Sequence, residues 1–296
     1  MNQLPRYKLK WMSVVGCWLL LAGVGCGQEK QTETMHYTSP EGYDLNNPEV
    51  FGMADELEEV SGIAFADHIR DTLFAQQDEE GKLFFFAPGQ EKPKEVRFGK
   101  DGDYEDIALL GHDVIMLRSD GSLFRFPVGE RNGKRIESVE KWKTPFPEGE
   151  YESLATGEDG MLYILCKECK VDRKGEGTTG YGFRLTADGD VKQELRYSVS
   201  HEQIERYVSL DGKAFRPSAM TWNRDTNEWY VISSINKMLV ILDSQWQVKE
   251  VHRLDPDRYI QPEGLAFDQS RTLYIASERG KKGKRATVYK IRFNNN

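Results

Sequence analysis

Four cysteines and five histidines are all that 296 residues contain. The histidines (His36, His68, His112, His201, His252) are scattered, and no His-Glu-x-x-His is present, which excludes the common zinc-protease arrangement. There is no Gly-x-Ser-x-Gly elbow to present a nucleophilic serine, and no Gly-rich loop running into Lys-Ser/Thr to cradle phosphate. Positive charge is also short. Forty basic against 48 acidic residues leave a formal charge of −8, against the basic face that nucleic acid requires. The one long hydrophobic run, near the N-terminus, is too short for a membrane span.

The remainder suits a folded body of many short strands. Hydrophobic residues make up 39% and charged residues 30%. The 27 glycines include turn pairs such as Asp120-Gly121, Asp159-Gly160 and Asp188-Gly189. Five segments share one frame: Glu59-Val-Ser-Gly-Ile-Ala-Phe65, Asp103-Tyr-Glu-Asp-Ile-Ala108, Glu150-Tyr-Glu-Ser-Leu-Ala155, Arg216-Pro-Ser-Ala-Met-Thr-Trp222 and Gln261-Pro-Glu-Gly-Leu-Ala-Phe-Asp268. Aligned on Gly62, Asp106, Ser153, Ala219 and Gly264, they are 44, 47, 66 and 45 residues apart. A period of about 40–50 residues is that of a four-stranded propeller blade.

The expected fold is therefore all-β, a single β-propeller of five four-stranded blades over residues 47–296. The last repeat supplies only three strands, Gly264–Asp268, Thr272–Glu278 and Ala286–Phe293. Because an open blade edge invites aggregation, the upstream segment Glu49–Ala54 is expected to complete it and close the ring. The 66-residue step is assigned to insertions in blade three: a polar loop over Arg173–Thr179 and a short amphipathic helix over His201–Val208, with Ile204, Tyr207 and Val208 on one face. Six blades, with the insertion as a degenerate blade, is the alternative.

Residues 1–10 carry Arg6, Lys8 and Lys10 without an acid, and residues 11–25 are apolar or small, the pattern of a secretory signal over 1–25. Gly23-Val-Gly-Cys26 resembles the cleavage box of bacterial lipoproteins, which implies acylation of Cys26 (palmitate-type chains). Val14-Val-Gly-Cys17 also fits that box but leaves almost no hydrophobic region before it. Simple secretion or a short uncleaved anchor is the alternative. Removing residues 1–25 takes the formal charge from −8 to −11. The polar stretch 26–46 is expected to be a solvated tether.

With the signal and lipobox, Glu59-Val-Ser-Gly-Ile-Ala64, Tyr104-Glu-Asp-Ile-Ala108, Pro217-Ser-Ala-Met220 and Gln261-Pro-Glu-Gly-Leu-Ala266 resemble the SdiA-regulated domain family of bacterial envelope proteins, over roughly Asn47 to Phe293. That family is propeller-like and related to NHL-repeat propellers. More distantly, the chain resembles the esterase-like domain associated with some phytases. The resemblance implies a fold and an envelope location (outer membrane or periplasmic face) and carries no activity with it.

Residues at one repeat position ring the channel of a propeller. Here they are Ser61, Glu105, Glu152, Ser218 and Glu263, with Asp106 following Glu105. Three carboxylates at one mouth repel each other and acquire raised pKa values unless a cation joins them. Oxygen-only ligands suit Ca²⁺, so Glu105, Glu152 and Glu263 are the candidate calcium ligands. The alternative is that each acid hydrogen-bonds backbone N–H groups of the next blade and fixes blade spacing. Gln77, Arg118, Lys167, Ser234 and Glu278 end the second strands. Lys167 and Arg118 are placed to meet an anionic ligand or to pair with the ring. Cys166-Lys-Glu-Cys169 is expected as a structural disulfide or a buried thiol, with redox chemistry as the lesser alternative. Gly280-Lys-Lys-Gly-Lys-Arg285 is a solvated turn or a contact to anionic lipid or polysaccharide.

Three functions follow. The first is a lipid-anchored, monomeric envelope propeller binding a small molecule, peptide or glycan, or a divalent cation, at an acidic mouth. The second is a Ca²⁺-dependent ester or phosphoester hydrolase. The third is a structural envelope platform. No histidine falls in the repeat frame, which favours binding over catalysis.

Overall fold

The computed structural model describes residues 37–173, 175–186, 188–280 and 284–294. The signal and the lipidation site at Cys26 lie outside them. Among the described residues no helix is long and apolar enough to cross a membrane.

Twenty strands form five antiparallel four-stranded sheets. Strand β1 (Glu49–Gly52) comes first in the chain and is used last. Blade one is β2 (Val60–Phe65), β3 (Leu73–Gln77), β4 (Lys82–Phe86) and β5 (Lys94–Arg97). Blade two is β6 (Tyr104–Leu110), β7 (Asp113–Arg118), β8 (Leu123–Pro127) and β9 (Glu140–Trp142). Blade three is β10 (Gly149–Thr156), β11 (Leu162–Cys169), β12 (Gly177–Leu185) and β13 (Val191–Ser200). Blade four is β14 (Ala219–Asn223), β15 (Glu228–Ser233), β16 (Met238–Asp243) and β17 (Val248–Arg253). Blade five is β18 (Pro262–Phe267), β19 (Leu273–Ser277) and β20 (Thr287–Ile291), completed by β1 in the register Glu49↔Lys290 to Gly52↔Thr287. The first strand of each blade lies innermost, and β18 neighbours β2. This is a five-bladed β-propeller closed by its N-terminal strand, so the six-bladed alternative falls.

The sequence patterns follow from the stacking of blades. Strand β16 reads Met238-Leu-Val-Ile-Leu242 without alternation, and all five residues are buried, because both faces of a middle strand are covered by neighbouring blades. The outermost strand β13 instead leaves Lys192 to Arg196 exposed. Five hydrophobic clusters fill the five interfaces. Phe74, Ile107 and Met116 join blades one and two, Ile115, Leu154 and Phe183 join two and three, and Val199, Met220 and Val231 join three and four. Tyr230, Leu265 and Ile275 join four and five, and Ile63, Ala75 and Ala276 close five onto one. Each such aliphatic or aromatic side chain contributes about 1.5–3 kcal/mol.

Four expected boundaries shift. Residues 37–46 are not free tether. Tyr43 and Leu45 are buried between blades four and five, and the Tyr43 hydroxyl donates to the Arg271 carbonyl at 2.9 Å. The short-strand pattern of residues 135–142 predicts a fourth strand of blade two over Arg135–Trp142, but the strand starts at Glu140. Ile136 leaves the sheet to fill the interface with blade one, its N–H donating to the Arg97 carbonyl at 2.9 Å. Gly177–Thr179, expected in a loop, open the long strand β12. The helix α1 spans His201–Glu205, buries Ile204 and leaves Tyr207 51% exposed. The remainder of the 66-residue step covers the interface of blades three and four through Leu210 and Phe215.

Candidate functional site

Four of the five inner strands break register at the same repeat position. Pairing passes from Val60↔Gln77 to Gly62↔Gln76, from Tyr104↔Arg118 to Asp106↔Leu117, from Tyr151↔Cys166 to Ser153↔Leu165, and from Pro262↔Ser277 to Gly264↔Ala276. The residues without an opposite are Ser61, Glu105, Glu152 and Glu263. In blade four Ser218 precedes the first pair, Ala219↔Ile232, and its N–H also donates to the Ile232 carbonyl at 2.8 Å. A β-bulge leaves one residue out of the ladder and re-aims its side chain. Four bulges at equivalent places, with Ser218 at the matching place before β14, turn one repeat position into a ring at one mouth of the channel.

The three glutamates act on one another's charge. Burial, then Glu152 and Asp103, raise Glu105 from an ordinary 4.5 to about 9, with Lys167 opposing. Burial raises Glu152 to about 7, held lower by the Lys167 ammonium that hydrogen-bonds it. Burial raises Glu263 against the Ser234 and Ser218 hydroxyls and the charges of Lys167 and Lys237. Glu278, at the end of β19, joins the set. Burial, Glu263 and Asp78 raise it to about 8. The mouth is thus a cluster of carboxyls in which protons replace missing counter-charge.

The other sequence-selected residues divide. Lys167 pairs with Glu152 and also feels Glu263 and Glu105. Arg118 turns to Asp120 at 4.0 Å, and its Nε is buried without a partner among the described residues. Gln77 caps the following turn, its carbonyl accepting from the Glu79 and Glu80 N–H groups at 2.6 and 3.2 Å. Ser61 is buried. Cys166 and Cys169 form a disulfide. Asp106 takes the role of the alternative reading and leaves the mouth. Its carboxylate accepts from the Ile107 N–H (2.8 Å) and the Leu154 N–H (2.6 Å), tying blade two to blade three.

Lys237 was missed. It lies in the β15–β16 turn at φ 51°, where burial lowers its pKa and its Nζ donates to the Ile260 carbonyl. The only signal was a lysine in a short turn facing the mouth. Two cavities were missed as well. Beside the acidic mouth a cleft of 800 Å³ is lined by Asp55, Glu56, Glu59, Glu79 and Arg279. At the opposite mouth a cavity of 260 Å³ is lined by Phe65, Leu109, Thr156, Trp222 and Phe267, one residue per blade, with the Arg224–Asp67 ion pair (2.7 Å) at its rim.

Oxygen ligands are present for a hard cation. Among the described residues, however, no group of three or more His, Cys, Asp or Glu is arranged to hold a metal ion. The cation on Glu152 is the Lys167 ammonium, and the Ser218 hydroxyl beside Glu263 donates to the Pro262 carbonyl at 2.7 Å.

Fold and site together define a β-propeller with an acidic channel mouth. The family model of the SdiA-regulated proteins matches residues 190–280, from the last strand of blade three into blade five. No curated protein matches the chain. Among solved structures it is similar to the glutaminyl cyclase of Myxococcus xanthus (14% identity, 83% of this chain and 94% of that chain, TM-score 0.58). A luciferin-regenerating enzyme (13% identity, 83% and 95%, TM-score 0.54) and a gluconolactonase of Xanthomonas campestris (12% identity, 87% and 99%, TM-score 0.51) are similar too. At these identities the likeness is one of fold.

Proposed function

We propose that this protein is a lipid-anchored, monomeric propeller of the cell envelope that captures a cationic group at the acidic mouth in exchange for protons. The group is an ammonium on a small molecule, peptide or glycan, or a Ca²⁺ ion. The observation carrying this reading is the convergence of Glu105, Glu152, Glu263 and Glu278 on a mouth where Lys167 is the cation hydrogen-bonded to the ring. Like charges held together in a partly dry site favour either a proton or another cation. For Ca²⁺, Glu105, Glu152 and Glu263 would have to draw together into a ligand group that they do not form here, with Lys167 displaced. The acidic cleft at Glu56, Glu59 and Glu79 extends the negative field beside the mouth and steers cations toward it.

Calorimetric titration with CaCl₂ and, separately, with putrescine tests the reading. Run in two buffers of different ionisation heat, it shows proton release. Affinity rises about tenfold per pH unit for each proton released, and Glu105→Gln with Glu152→Gln removes it. Binding that ignores pH and both substitutions overturns the reading.

A second reading is supported by the separation of Glu105 (about 9) from Glu152 (about 7). One carboxyl stays protonated while its neighbour ionises, as a general acid and base require. On that reading the protein hydrolyses esters or phosphoesters. Turnover that survives Glu105→Gln and Glu152→Gln with the fold intact removes it.

A further inference from the structure

Lys167 stands between the two cysteines of the disulfide, on a second bulge. Strand β11 pairs with β10 at Gly149↔Cys169, Glu150↔Glu168 and then Tyr151↔Cys166, so Lys167 faces no residue of β10. Three residues of extended strand span about 10 Å. Here the Cα atoms of Cys166 and Cys169 are 5.8 Å apart. The strand is folded up at Lys167 and Glu168, and the disulfide joins the two ends of that fold. Both sulfurs are packed away, with Cys166 fully buried and Cys169 6% exposed. They lie against Gly149, where a Cβ would come within 2.6 Å of one sulfur and 2.8 Å of the other. The two residues of the pinched step both find charged partners: Lys167 reaches Glu152, itself a bulge residue, and Glu168 reaches Arg216 at 2.7 Å.

We propose that the Cys166–Cys169 disulfide is a positioning device that holds the β11 bulge and so seats the Lys167 ammonium on Glu152. An extra residue in one strand persists only where something prevents the ladder from slipping back into register. The pinch does this from the interface with blade two, where both cysteines are buried. A disulfide is the cross-link an oxidising envelope supplies. Glu152 is faced by Lys167 from β11, Glu150 on its own strand, Glu263 from β18, Glu105 from β6 and Glu278 beyond β19. Lys167 is the cation hydrogen-bonded within that set, while Lys237 acts on Glu263 from the β15–β16 turn, so the seat of Lys167 decides how much negative charge at Glu152 goes uncompensated. The meaning of the inference for ligand capture rests on the reading proposed above. Its geometry does not.

The test is acylation footprinting of Lys167 by an N-hydroxysuccinimide ester, read by mass spectrometry against Lys170, whose side chain is 71% exposed. In the oxidised wild type, Lys167 reacts at least tenfold more slowly than Lys170. In Cys166→Ala/Cys169→Ala its rate rises severalfold, as it does in Glu152→Gln, and combining the changes adds little. A folded cysteine variant with a lowered Tm but a protected Lys167 overturns the inference, leaving a staple without a positioning role. If the double variant does not fold, the wild type is reduced in place with dithiothreitol. The reagent's two thiols close to a cyclic disulfide, and Cys166 and Cys169 each become a thiol. Persistent protection after two thiols are counted overturns the inference equally. No ligand enters the measurement, so it can fail while the binding reading stands, and the reverse.

Discussion

Glu105 and Asp106 are adjacent in sequence and opposite in what they do. Asp106 is buried in the ring, its carboxylate accepting two backbone N–H groups, one from Ile107 and one from Leu154 of the next blade. Glu105 stands out of the ladder on its bulge and faces the channel. The inner strands are so close here that a Cβ on Gly62 would lie 2.6 Å from the Asp106 Oδ1.

This division predicts different costs for neighbouring substitutions. Asp106→Ala strands two buried N–H donors at about 1–3 kcal/mol each, so urea denaturation should show a loss of about 2–5 kcal/mol. Glu105, with a folded-state pKa of about 9, already holds its proton at neutral pH, so Glu105→Gln exchanges one neutral group for another and should lower stability by less than about 1 kcal/mol. Equal losses would mean that Glu105 also clamps blades.

Stability should fall as the solution turns alkaline. Glu152, Glu278 and Glu105 have folded-state pKa values of about 7, 8 and 9, all above the ordinary carboxyl value. A raised acid holds its proton more tightly when folded. Its contribution is complete below the ordinary value, is lost as pH rises toward the folded value and is gone above it. Between pH 6 and 9 unfolding free energy should decline by about 1.4 kcal/mol per pH unit for each proton difference. Glu105→Gln should flatten the upper part of that decline.

Ring closure gives a third expectation. Strand β1 covers the edge of β20, and Tyr43, Leu45 and Met53 are buried beside it. Deleting residues 37–53 exposes that edge and empties those core positions, which exceeds the margin of a typical domain. The truncated chain should aggregate or lose its cooperative thermal transition in calorimetry, whereas a chain beginning at Tyr37 should keep it.

For the anchor, Cys26→Ala should move the protein from the membrane pellet to the soluble fraction after cell breakage. Metabolic labelling with a palmitate analogue should be lost in the same variant.

The repeat frame was legible because blade stacking demands the same small and hydrophobic residues at each inner strand. Five blades, the closing strand and the ring of Ser61, Glu105, Glu152, Ser218 and Glu263 all follow from that periodicity. The separate roles of Glu105 and Asp106 were not legible, since a bulge depends on pairing with the next strand and leaves no mark in a single segment. The burial of Tyr43 and Leu45 was hidden by polar neighbours that read as tether. Lys237 was hidden because a turn lysine looks the same whether it meets water or a channel.

Closure by β1 also bears on export. The first ordered strand of the propeller pairs with the last, across more than two hundred residues of intervening chain. Such a contact, with its large loop-closure entropy, forms late. The ring therefore cannot seal until its final strand has been made; under the envelope location proposed above, the nascent polypeptide would stay threadable for passage through a translocation pore and complete its fold on the far side.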